Sequence, residues 1–252
     1  MTDVMVFTDL DGSLLDHETY AFDAALPALE ALASVGIPVS IVSSKTRAEI
    51  VPLVSQLKLE GPIIAENGAV IVYPEGRIDS ASHIDDIRQA LDGLPENLRA
   101  VIQGFGDMSI TEISQLTGLD EAGSALAAKR EASEPFLWSG EGVPDKDLLA
   151  DKGFHIIRGG RFYHIIPCRD KADAIRRVTT KMAKPDAEIW ALGDGPNDLS
   201  MLLAATKGAL IYNPSLQVKV QLPKTHALYL TKRAGPAGWA EAIFTFLGEK
   251  KT

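Results

Sequence analysis

The fold is decided by residues 4–13, which read Val4-Met5-Val6-Phe7-Thr8-Asp9-Leu10-Asp11-Gly12-Ser13. The first four side chains are apolar without alternation, and such a run is typical of a strand buried on both faces of a parallel sheet. In open α/β sheets, ligands bind in a crevice beyond the carboxyl ends of the strands. Asp9 and Asp11 follow the strand directly, so we expect both carboxylates to line such a crevice.

Predicted strands and helices alternate outward from this stretch. Helical spacing of apolar residues spans 24–35 and 46–57, and short apolar runs occupy 39–42 and 63–65. This alternation predicts an α/β fold with a doubly wound parallel sheet, similar to a Rossmann core. The same rhythm returns near the end of the chain, where it predicts helix 171–182, strand 188–192, helix 198–205, strand 208–212 and helix 239–247.

The middle of the chain breaks this rhythm. Residues 69–76 predict a hairpin, and residues 79–165 mix helical stretches with possible strands, as a small α+β module does. This segment carries 8 basic and 15 acidic residues, a net charge of −7, whereas the rest of the chain carries −2. The shift in composition predicts a domain inserted at 79–165 into a core formed by residues 1–78 and 166–252.

Composition sets limits on the partners of the protein. The chain has 252 residues, of which 46% are apolar and 23% charged, and its formal net charge is −9. We therefore expect neither nucleic acid nor an anionic membrane as a partner, because both attract cationic surfaces. No run approaches the roughly 20 apolar residues that span a bilayer, and we find no secretory signal. The single Cys168 suits a reducing compartment, so we predict a cytoplasmic location.

Two acidic clusters follow two different predicted strands. Asp9 and Asp11 come after the first strand, and Asp194 and Asp198 lie in the turn Gly193-Asp194-Gly195-Pro196-Asn197-Asp198 after another. One carboxylate of the first pair could attack as a nucleophile while the other transfers protons. Carboxylates this close repel one another unless a cation joins them, and oxygen ligands favour Mg²⁺. The alternative is a pair of ordinary turns, since Gly, Pro, Asn and Asp are turn residues.

The sequence also offers groups that could bind a phosphate. They are hydroxyl and lysine side chains at the N-termini of two predicted helices. Ser43-Ser44-Lys45 follows a strand and opens a helix, where hydroxyls and backbone N–H groups suit an anion. The alternative is plain N-capping of that helix by serine. Lys171 opens the first helix after the insert and could neutralise phosphate and aspartate together. The alternative for Lys171 is an ordinary solvated lysine.

These residues together resemble the motifs of the haloacid dehalogenase superfamily of phosphohydrolases. The four motifs occur in the family's order, as Asp9-Leu10-Asp11-Gly12-Ser13, Ser43, Lys171 and Gly193-Asp194-Gly195-Pro196-Asn197-Asp198. The insert between the second and third motifs is similar to the α/β cap domain of Cof-like sugar phosphatases. The segment 79–165 is therefore expected to be a cap that determines substrate specificity.

A closer resemblance is to the mannosyl-3-phosphoglycerate phosphatase subfamily. It is carried by residues 7–16 and 43–49 and by shorter segments of the core, the insert and the tail, among them Glu66-Asn67-Gly68-Ala69, Leu116-Thr117-Gly118-Leu119 and Gly235-Pro236-Ala237-Gly238-Trp239. Most Cof-like enzymes have Thr-Gly-Arg where this chain has Ser43-Ser44-Lys45.

The resemblance implies a Mg²⁺-dependent phosphomonoester hydrolase that works through an aspartyl-phosphate. Asp9 would attack phosphorus, and Asp11 would protonate the leaving oxygen and later deprotonate water. Mg²⁺ would be held by the Asp9 carboxylate, the Asp11 backbone carbonyl and Asp194. The remaining implied roles are phosphate binding by Ser43, Lys171 and Asn197, and the orientation of Lys171 or of a metal-bound water by Asp198.

The cap is expected to select the leaving group. A phosphoglycerate ester carries a carboxylate besides its phosphate, and arginine is the natural bidentate partner of a carboxylate. Arg130 and Arg161 are the first candidates for this contact, and His164, Lys45 and Arg233 are weaker ones. The alternative for each is a solvated or packing side chain.

The substrate that the resemblance implies is mannosyl-3-phosphoglycerate, a small phosphorylated glycosyl-glycerate that would be converted to mannosylglycerate and phosphate. The alternatives within the enzymes are a glucosyl-3-phosphoglycerate phosphatase and a broader sugar phosphatase. The alternative from another class is a non-catalytic binding protein on the same scaffold. Such a protein should lack Asp9, Asp11 or Asp194, and all three are present.

Overall fold

A computed structural model describes residues 3–159, 161–214 and 228–250 of the chain. The strands are β1 (Val4–Thr8), β2 (Val39–Val42), β3 (Ile63–Ala65), β4 (Val70–Val72), β5 (Ile78–Ser80), β6 (Ile102–Gly104), β7 (Glu134–Trp138), β8 (Phe154–Arg158), β9 (Tyr163–Pro167), β10 (Glu188–Gly193), β11 (Lys207–Tyr212) and β12 (Tyr229–Ala234). The helices are α1 (Leu26–Ser34), α2 (Arg47–Leu57), α3 (Ile84–Asp92), α4 (Glu96–Arg99), α5 (Ile110–Thr117), α6 (Glu121–Ala127), α7 (Lys171–Lys181), α8 (Leu199–Ala204) and α9 (Gly235–Lys250).

The larger sheet has eight strands in the order β12-β11-β10-β1-β2-β3-β4-β5. Its first six strands run parallel, and the β4–β5 hairpin continues it in antiparallel pairing. The strand order reverses at β1, which pairs with β2 on one side and with β10 on the other. A ligand crevice is expected at such a switch point, beyond the carboxyl ends of these three strands.

Helices cover both faces of this sheet. Val4 and Val6 of β1 pack in one cluster with residues of α1 and α9. Met5 and Phe7 of the same strand pack in a second cluster with residues of α7 and α8. All five residues of β1 are buried, because successive side chains of a strand point to opposite faces and both faces are covered. The predicted doubly wound α/β core is confirmed.

The smaller sheet has four antiparallel strands in the order β6-β7-β9-β8. It has an apolar core of its own, in which Ile87 and Leu91 of α3 meet Phe136 of β7. A further small cluster joins Phe105 to Ile113 of α5. The insert is therefore an α+β unit, as its sequence predicts.

The predicted elements agree with the structure to within a few residues, and β5 is the return strand of the predicted hairpin. The elements without a predicted counterpart are short or edge segments, among them α4, β6 and β12. The final helix begins at Gly235 rather than at residue 239, because Pro236 is tolerated in the first turn of a helix.

Strand pairing bears on the predicted domain boundaries, which fall after residues 78 and 165. β5 stays paired with β4 as far as Ser80, and β9 stays paired within the smaller sheet as far as Pro167. We therefore propose that the chain leaves the core after Ala81, whose N–H still donates to the Ala69 carbonyl, and returns through residues 168–170. In the ranges described, no helix is both long and apolar enough to cross a membrane.

Candidate active site

The residues of the four motifs meet at the switch point of the larger sheet. Asp9 follows β1, Ser43 follows β2 and Asp194 follows β10, so the carboxyl ends of adjacent parallel strands bring all three together. Lys171 reaches the same place from the first turn of α7. This arrangement is the crevice that the sequence predicts.

Lys171 is the central cation of the site. Its side chain is only 1% exposed, and its Nζ donates to Asp9 Oδ1 (2.7 Å), Asp198 Oδ1 (2.6 Å) and the Val42 carbonyl (3.1 Å). Burial alone lowers the pKa of Lys171, but the carboxylates of Asp198 and Asp9 outweigh burial and raise it above its ordinary value. Lys171 is thus a fixed positive charge and not a solvated surface lysine.

Three buried carboxylates converge beside this lysine. Asp9, Asp194 and Asp198 each offer an oxygen atom, and these atoms lie within 4.8 Å of one another. Burial raises the pKa of Asp9 well above its ordinary value, and Lys171 offsets only part of that effect. Burial and the nearby Asp198 raise the pKa of Asp194 to about 7. Ionisation of all three carboxyls would place more negative charge here than one lysine neutralises, and a bound cation would favour that ionised state.

Both carboxylate oxygens of Asp198 are engaged in hydrogen bonds. Its Oδ1 accepts from Lys171, and its Oδ2 accepts from the backbone N–H groups of Asp194 (3.1 Å) and Gly195 (3.0 Å). It fixes the lysine and the loop that carries Asp194. The oxygen atoms that remain for a metal ion belong to Asp9 and Asp194, and an all-oxygen set of this kind fits a hard divalent cation.

Gly12 packs tightly against the side chain of Asp194. A Cβ atom at Gly12 would lie 2.3 Å from Asp194 Oδ2, and the backbone there has a φ of +78°. Only glycine tolerates this combination of close approach and left-handed backbone. The turn therefore packs the backbone that follows Asp11 against the side chain of Asp194. This close approach is compatible with the implied role of the Asp11 carbonyl, which is to share a cation with Asp9 and Asp194.

Asn213 is a neighbour of the cluster that sequence reasoning missed. Its Nδ2 donates to Asp194 Oδ2 at 2.5 Å. The signal was present in the sequence, because Asn213 is the polar residue directly after strand β11 and so lies at the same edge of the sheet.

Ser43 keeps its hydroxyl available. The N-cap of α2 is Thr46, which forms a capping box with Glu49, so the alternative of serine as N-cap is not what the structure shows. Ser43 is buried, and its Oγ accepts from the backbone N–H of Lys45 at 3.2 Å. Its own hydrogen has no acceptor within the ranges described, which leaves it for a ligand oxygen. Asn197 is half-buried on the Asp194 loop, with its Oδ1 against the backbone of Gly195.

Lys45 lies against Asp11. Its Nζ is 3.0 Å from Asp11 Oδ2 and 3.9 Å from Glu49 Oε1. Burial lowers the pKa of Lys45, yet the charges of Asp11 and Glu49 outweigh it and raise the pKa above its ordinary value. The other oxygen, Asp11 Oδ1, is buried and has no hydrogen-bond partner among the described residues.

Arg130 and His164 bring the inserted unit to the same side of the core. Arg130 donates from Nη1 to the Ser44 carbonyl at 2.8 Å. His164 is buried, and burial together with the positive charges of Arg130 and Lys171 lowers its pKa to about 3, so the imidazole is neutral. His164 Nδ1 has no partner within the part of the chain that is described.

The other two arginine candidates are engaged elsewhere. Arg161 is exposed and donates to the carbonyls of Leu116 and Thr117 at the end of α5. Arg233 lies on β12 and pairs with Glu241 of α9 at 3.3 Å. The structure does not bring either guanidinium into the aspartate cluster.

Glu66 joins the core to the insert, a role that the sequence did not reveal. Its fully buried carboxylate accepts from the backbone N–H of Glu131 (2.8 Å) and of Ala132 (3.1 Å) and from the hydroxyl of Ser133 (2.6 Å). Glu66 and Asn67 both have positive φ angles, 52° and 58°, and such strain persists only where surrounding contacts hold it.

Comparison with known proteins identifies the family of this chain. The chain matches the sequence profile of the haloacid dehalogenase-like hydrolases over residues 6–129 and 160–233. The chain belongs to the haloacid dehalogenase-like hydrolase family. The predicted family, the α/β fold and the phosphatase class of enzyme are thereby confirmed.

Two curated relatives of this hydrolase are named glucosyl-3-phosphoglycerate/mannosyl-3-phosphoglycerate phosphatase. The protein from Persephonella marina is 35% identical, and the alignment covers 98% of this chain and 98% of the relative. The protein from Methanococcoides burtonii is 34% identical, and the alignment covers 97% of each chain. A solved structure of a phosphatase from Bacteroides thetaiotaomicron superposes with a TM-score of 0.70 at 20% identity, covering 97% of this chain and 95% of the other. That structural likeness supports the fold alone.

Proposed function

We propose that this phosphatase hydrolyses mannosyl-3-phosphoglycerate, and that glucosyl-3-phosphoglycerate is the alternative substrate of the same site. The observation that carries the reaction type is the buried Lys171, which joins Asp9 to Asp198 beside Asp194 and Ser43. Support for the substrate class comes from the names of the two relatives, each of which matches nearly the whole chain.

In the first step, Asp9 attacks the phosphorus of the ester. Lys171 holds Asp9 Oδ1, so Oδ2 is the oxygen that forms the new bond. The bond from phosphorus to the glycerate oxygen breaks, and Asp11 gives its proton to that leaving oxygen. The products are an aspartyl-phosphate on Asp9 and a free glycosyl-glycerate.

In the second step, Asp11 acts as the base. It takes a proton from water, whose oxygen attacks phosphorus and displaces the Asp9 carboxylate, so that inorganic phosphate leaves and Asp11 is again protonated. Ser43 would hold a phosphoryl oxygen through both steps, and Lys171 would exchange its hydrogen bond to the Val42 carbonyl for another phosphoryl oxygen. Asn197, on the Asp194 loop, is a further donor. Asp198 positions Lys171 without touching the substrate.

The cofactor that we propose is Mg²⁺. The Asp9 and Asp194 carboxylates and the Asp11 backbone carbonyl would hold it, because these oxygens remain after Asp198 is accounted for. When bound, the ion supplies positive charge that offsets the charge of the phosphoryl oxygens. A cytoplasmic location stays a prediction from the sequence.

We expect two cations to recognise the carboxylate of the glycerate. Lys45 belongs to the Ser43–Lys45 loop of the core, and Arg130 contacts the same loop from the insert. A substrate carboxylate would replace Asp11 as the partner of Lys45, and Arg130 could bind it bidentately. The other three candidates for this contact remain predictions, namely Arg161, His164 and Arg233. Neither their charges nor their hydrogen bonds favour them over Arg130 and Lys45 as partners of the substrate carboxylate.

A phosphate-release assay with added Mg²⁺ tests the substrate. We expect the highest kcat/KM for mannosyl-3-phosphoglycerate, followed by glucosyl-3-phosphoglycerate, and weak release from hexose phosphates that lack a carboxylate. Release from hexose phosphates alone would overturn the substrate and leave a broader sugar phosphatase. Absence of release from every ester, in folded protein with Mg²⁺, would favour a non-catalytic binding protein.

A further inference from the structure

A second cleft lies outside the active site, where the insert rejoins the core. It has a volume of about 610 Å³ and is lined by Arg169, Arg176, Arg177, Lys181 and the opposing Asp79, among others. None of the residues to which we assign a catalytic or phosphate-binding role lines it. Its walls are the segment between β9 and α7, the outer face of α7, and β5.

The outer face of α7 supplies most of the charge. Asp173, Arg176, Arg177, Thr180 and Lys181 recur at the spacing of one helical face. The opposite face packs into the core of the larger sheet. A polar outer face is ordinary for a surface helix, so this stripe alone indicates no ligand.

Arg169 is the observation that indicates a ligand. It is only 7% exposed, and its Nη2 donates to Asp79 Oδ1 at 3.3 Å. Its Nη1 is buried and has no hydrogen-bond partner in the described ranges. A buried guanidinium N–H without an acceptor is unfavourable, and an anion in the cleft would supply that acceptor.

The charges of the cleft do not balance. Arg169 pairs with Asp79, and Arg176 pairs with Asp173 on its own helix. Within the described part of the chain, Arg177 and Lys181 are exposed and have no carboxylate partner. The cleft thus keeps two unpaired cations in a chain whose formal net charge is −9.

We propose that this cleft is a second anion-binding site that takes a small phosphorylated molecule. Arg169 and Arg177 provide planar guanidinium groups, which match the geometry of phosphate oxygens, and Lys181 adds a point charge. The volume lies within the range of small-molecule sites. The ligand binds where both connections between core and insert pass, beside the contact of Arg169 with Asp79.

Cys168 makes the proposal directly measurable. It is the one cysteine of the sequence, it is exposed, and it lines the cleft. The experiment measures the rate at which neutral iodoacetamide alkylates Cys168, by mass spectrometry, in full-length metal-free protein at constant ionic strength. The probe is inorganic pyrophosphate, titrated in EDTA. We expect millimolar pyrophosphate to slow alkylation several-fold.

Three variants localise the effect. Arg177→Gln combined with Lys181→Gln should raise the half-protecting pyrophosphate concentration by about tenfold. Lys146→Gln combined with Lys152→Gln makes the same change in charge on exposed residues of the insert and should leave the half-protecting concentration unchanged. Ser43→Ala alters the active site and should also leave it unchanged.

Three outcomes would overturn the proposal. One is unchanged alkylation in the presence of pyrophosphate. Another is an equal loss of protection in both double variants, which would show a general charge effect. The third is protection that Ser43→Ala removes and the Arg177/Lys181 variant keeps, which would place the anion at the catalytic centre. None of these readouts depends on the substrate that we propose, so failure here leaves the proposed function untouched.

Discussion

The core side and the insert side of the active site are built in different ways. On the core side, Lys171 is almost fully buried and makes three hydrogen bonds, two of them to aspartates. On the insert side, Arg161 is exposed and bonds to carbonyls of its own unit, and Arg130 reaches the core through one carbonyl. We therefore propose that the fixed charges around Lys171 act on the phosphoryl group, and that the more loosely held Arg130 contributes to the choice of substrate.

The largest expected effect comes from removing the central cation. Lys171→Met leaves Asp9 and Asp198 buried without their partner, so we expect the free energy of unfolding to fall by about 3–5 kcal/mol and phosphate release to be lost. Urea unfolding and the phosphate assay measure both. Lys58→Met, at an exposed lysine after α2, is the matched control and should change neither. An unfolding free energy equal to that of the parent would show that Lys171 is not a stabilising partner.

A second effect concerns pH and the metal. The pKa of Asp194 is about 7 in the folded state, above its ordinary 3.8, so the folded protein holds this proton more tightly than the unfolded chain does. Between about pH 4 and 7 this group therefore makes the metal-free protein less stable as the pH rises, and its contribution becomes constant above that range. Mg²⁺ should oppose the loss, because it stabilises the ionised carboxylate.

The measurement is the thermal unfolding of the parent and of Asp194→Asn from pH 5 to 8, once with EDTA and once with Mg²⁺. It shows whether the stability of the metal-free protein falls or rises with pH. The parent should lose stability relative to Asp194→Asn as the pH rises in EDTA, and Mg²⁺ should stabilise only the parent strongly. The opposite slope, or equal stabilisation of both proteins by Mg²⁺, would contradict the assignment of Asp194 as a ligand.

A smaller effect is expected where the two units meet. Glu66→Gln replaces one of the two oxygens that accept hydrogen bonds from the insert by an amide group, which donates. This change should weaken the contact between core and insert by about 1–3 kcal/mol. We expect the backbone amides of Glu131 and Ala132 to exchange hydrogen at least about fivefold faster. Glu60→Gln on the exposed surface of the core is the control and should leave exchange unchanged. Unchanged exchange in Glu66→Gln would mean that Glu66 does not hold the insert.

The smallest effect tests recognition of the substrate carboxylate. Lys45→Met should raise KM for mannosyl-3-phosphoglycerate by about tenfold and should leave KM for p-nitrophenyl phosphate, which has no carboxylate, nearly unchanged. Lys58→Met, an exposed lysine after α2, is the control. An equal change with both substrates would show that Lys45 acts through Asp11 and not on the carboxylate.

The sequence predicts the core side well for a physical reason. Asp9, Ser43 and Asp194 each follow an apolar run directly, and parallel strands necessarily bring their carboxyl ends to one edge. Thr46 as the N-cap of α2, in place of Ser43 or Ser44, shows the limit of this reasoning, because a few residues at a helix start compete for the same role.

The insert side could not be predicted in the same way. The contacts of Glu66 with residues 131–133 join segments about 65 residues apart in the chain, and no local pattern encodes that pairing. The short strand β6 was missed for a similar reason, since its pairing partner β7 lies beyond α5 and α6 in the chain. The sequence offers no feature that distinguishes Arg130 from Arg161 as a partner of the substrate. The structure distinguishes them, because Arg130 contacts the core and Arg161 contacts its own unit.

We propose that Asp9 becomes covalently phosphorylated during turnover. Asp11→Asn removes both the acid of the first step and the base of the second, so the labelling substrate is p-nitrophenyl phosphate carrying a radioactive phosphate, because p-nitrophenolate leaves without a proton. In the presence of Mg²⁺ and under rapid acid quench, we expect a hydroxylamine-sensitive label on the peptide that contains Asp9, and no label when Asp9→Asn is added. Label on another residue, or phosphate release by the Asp9→Asn protein at the parent's rate, would contradict it.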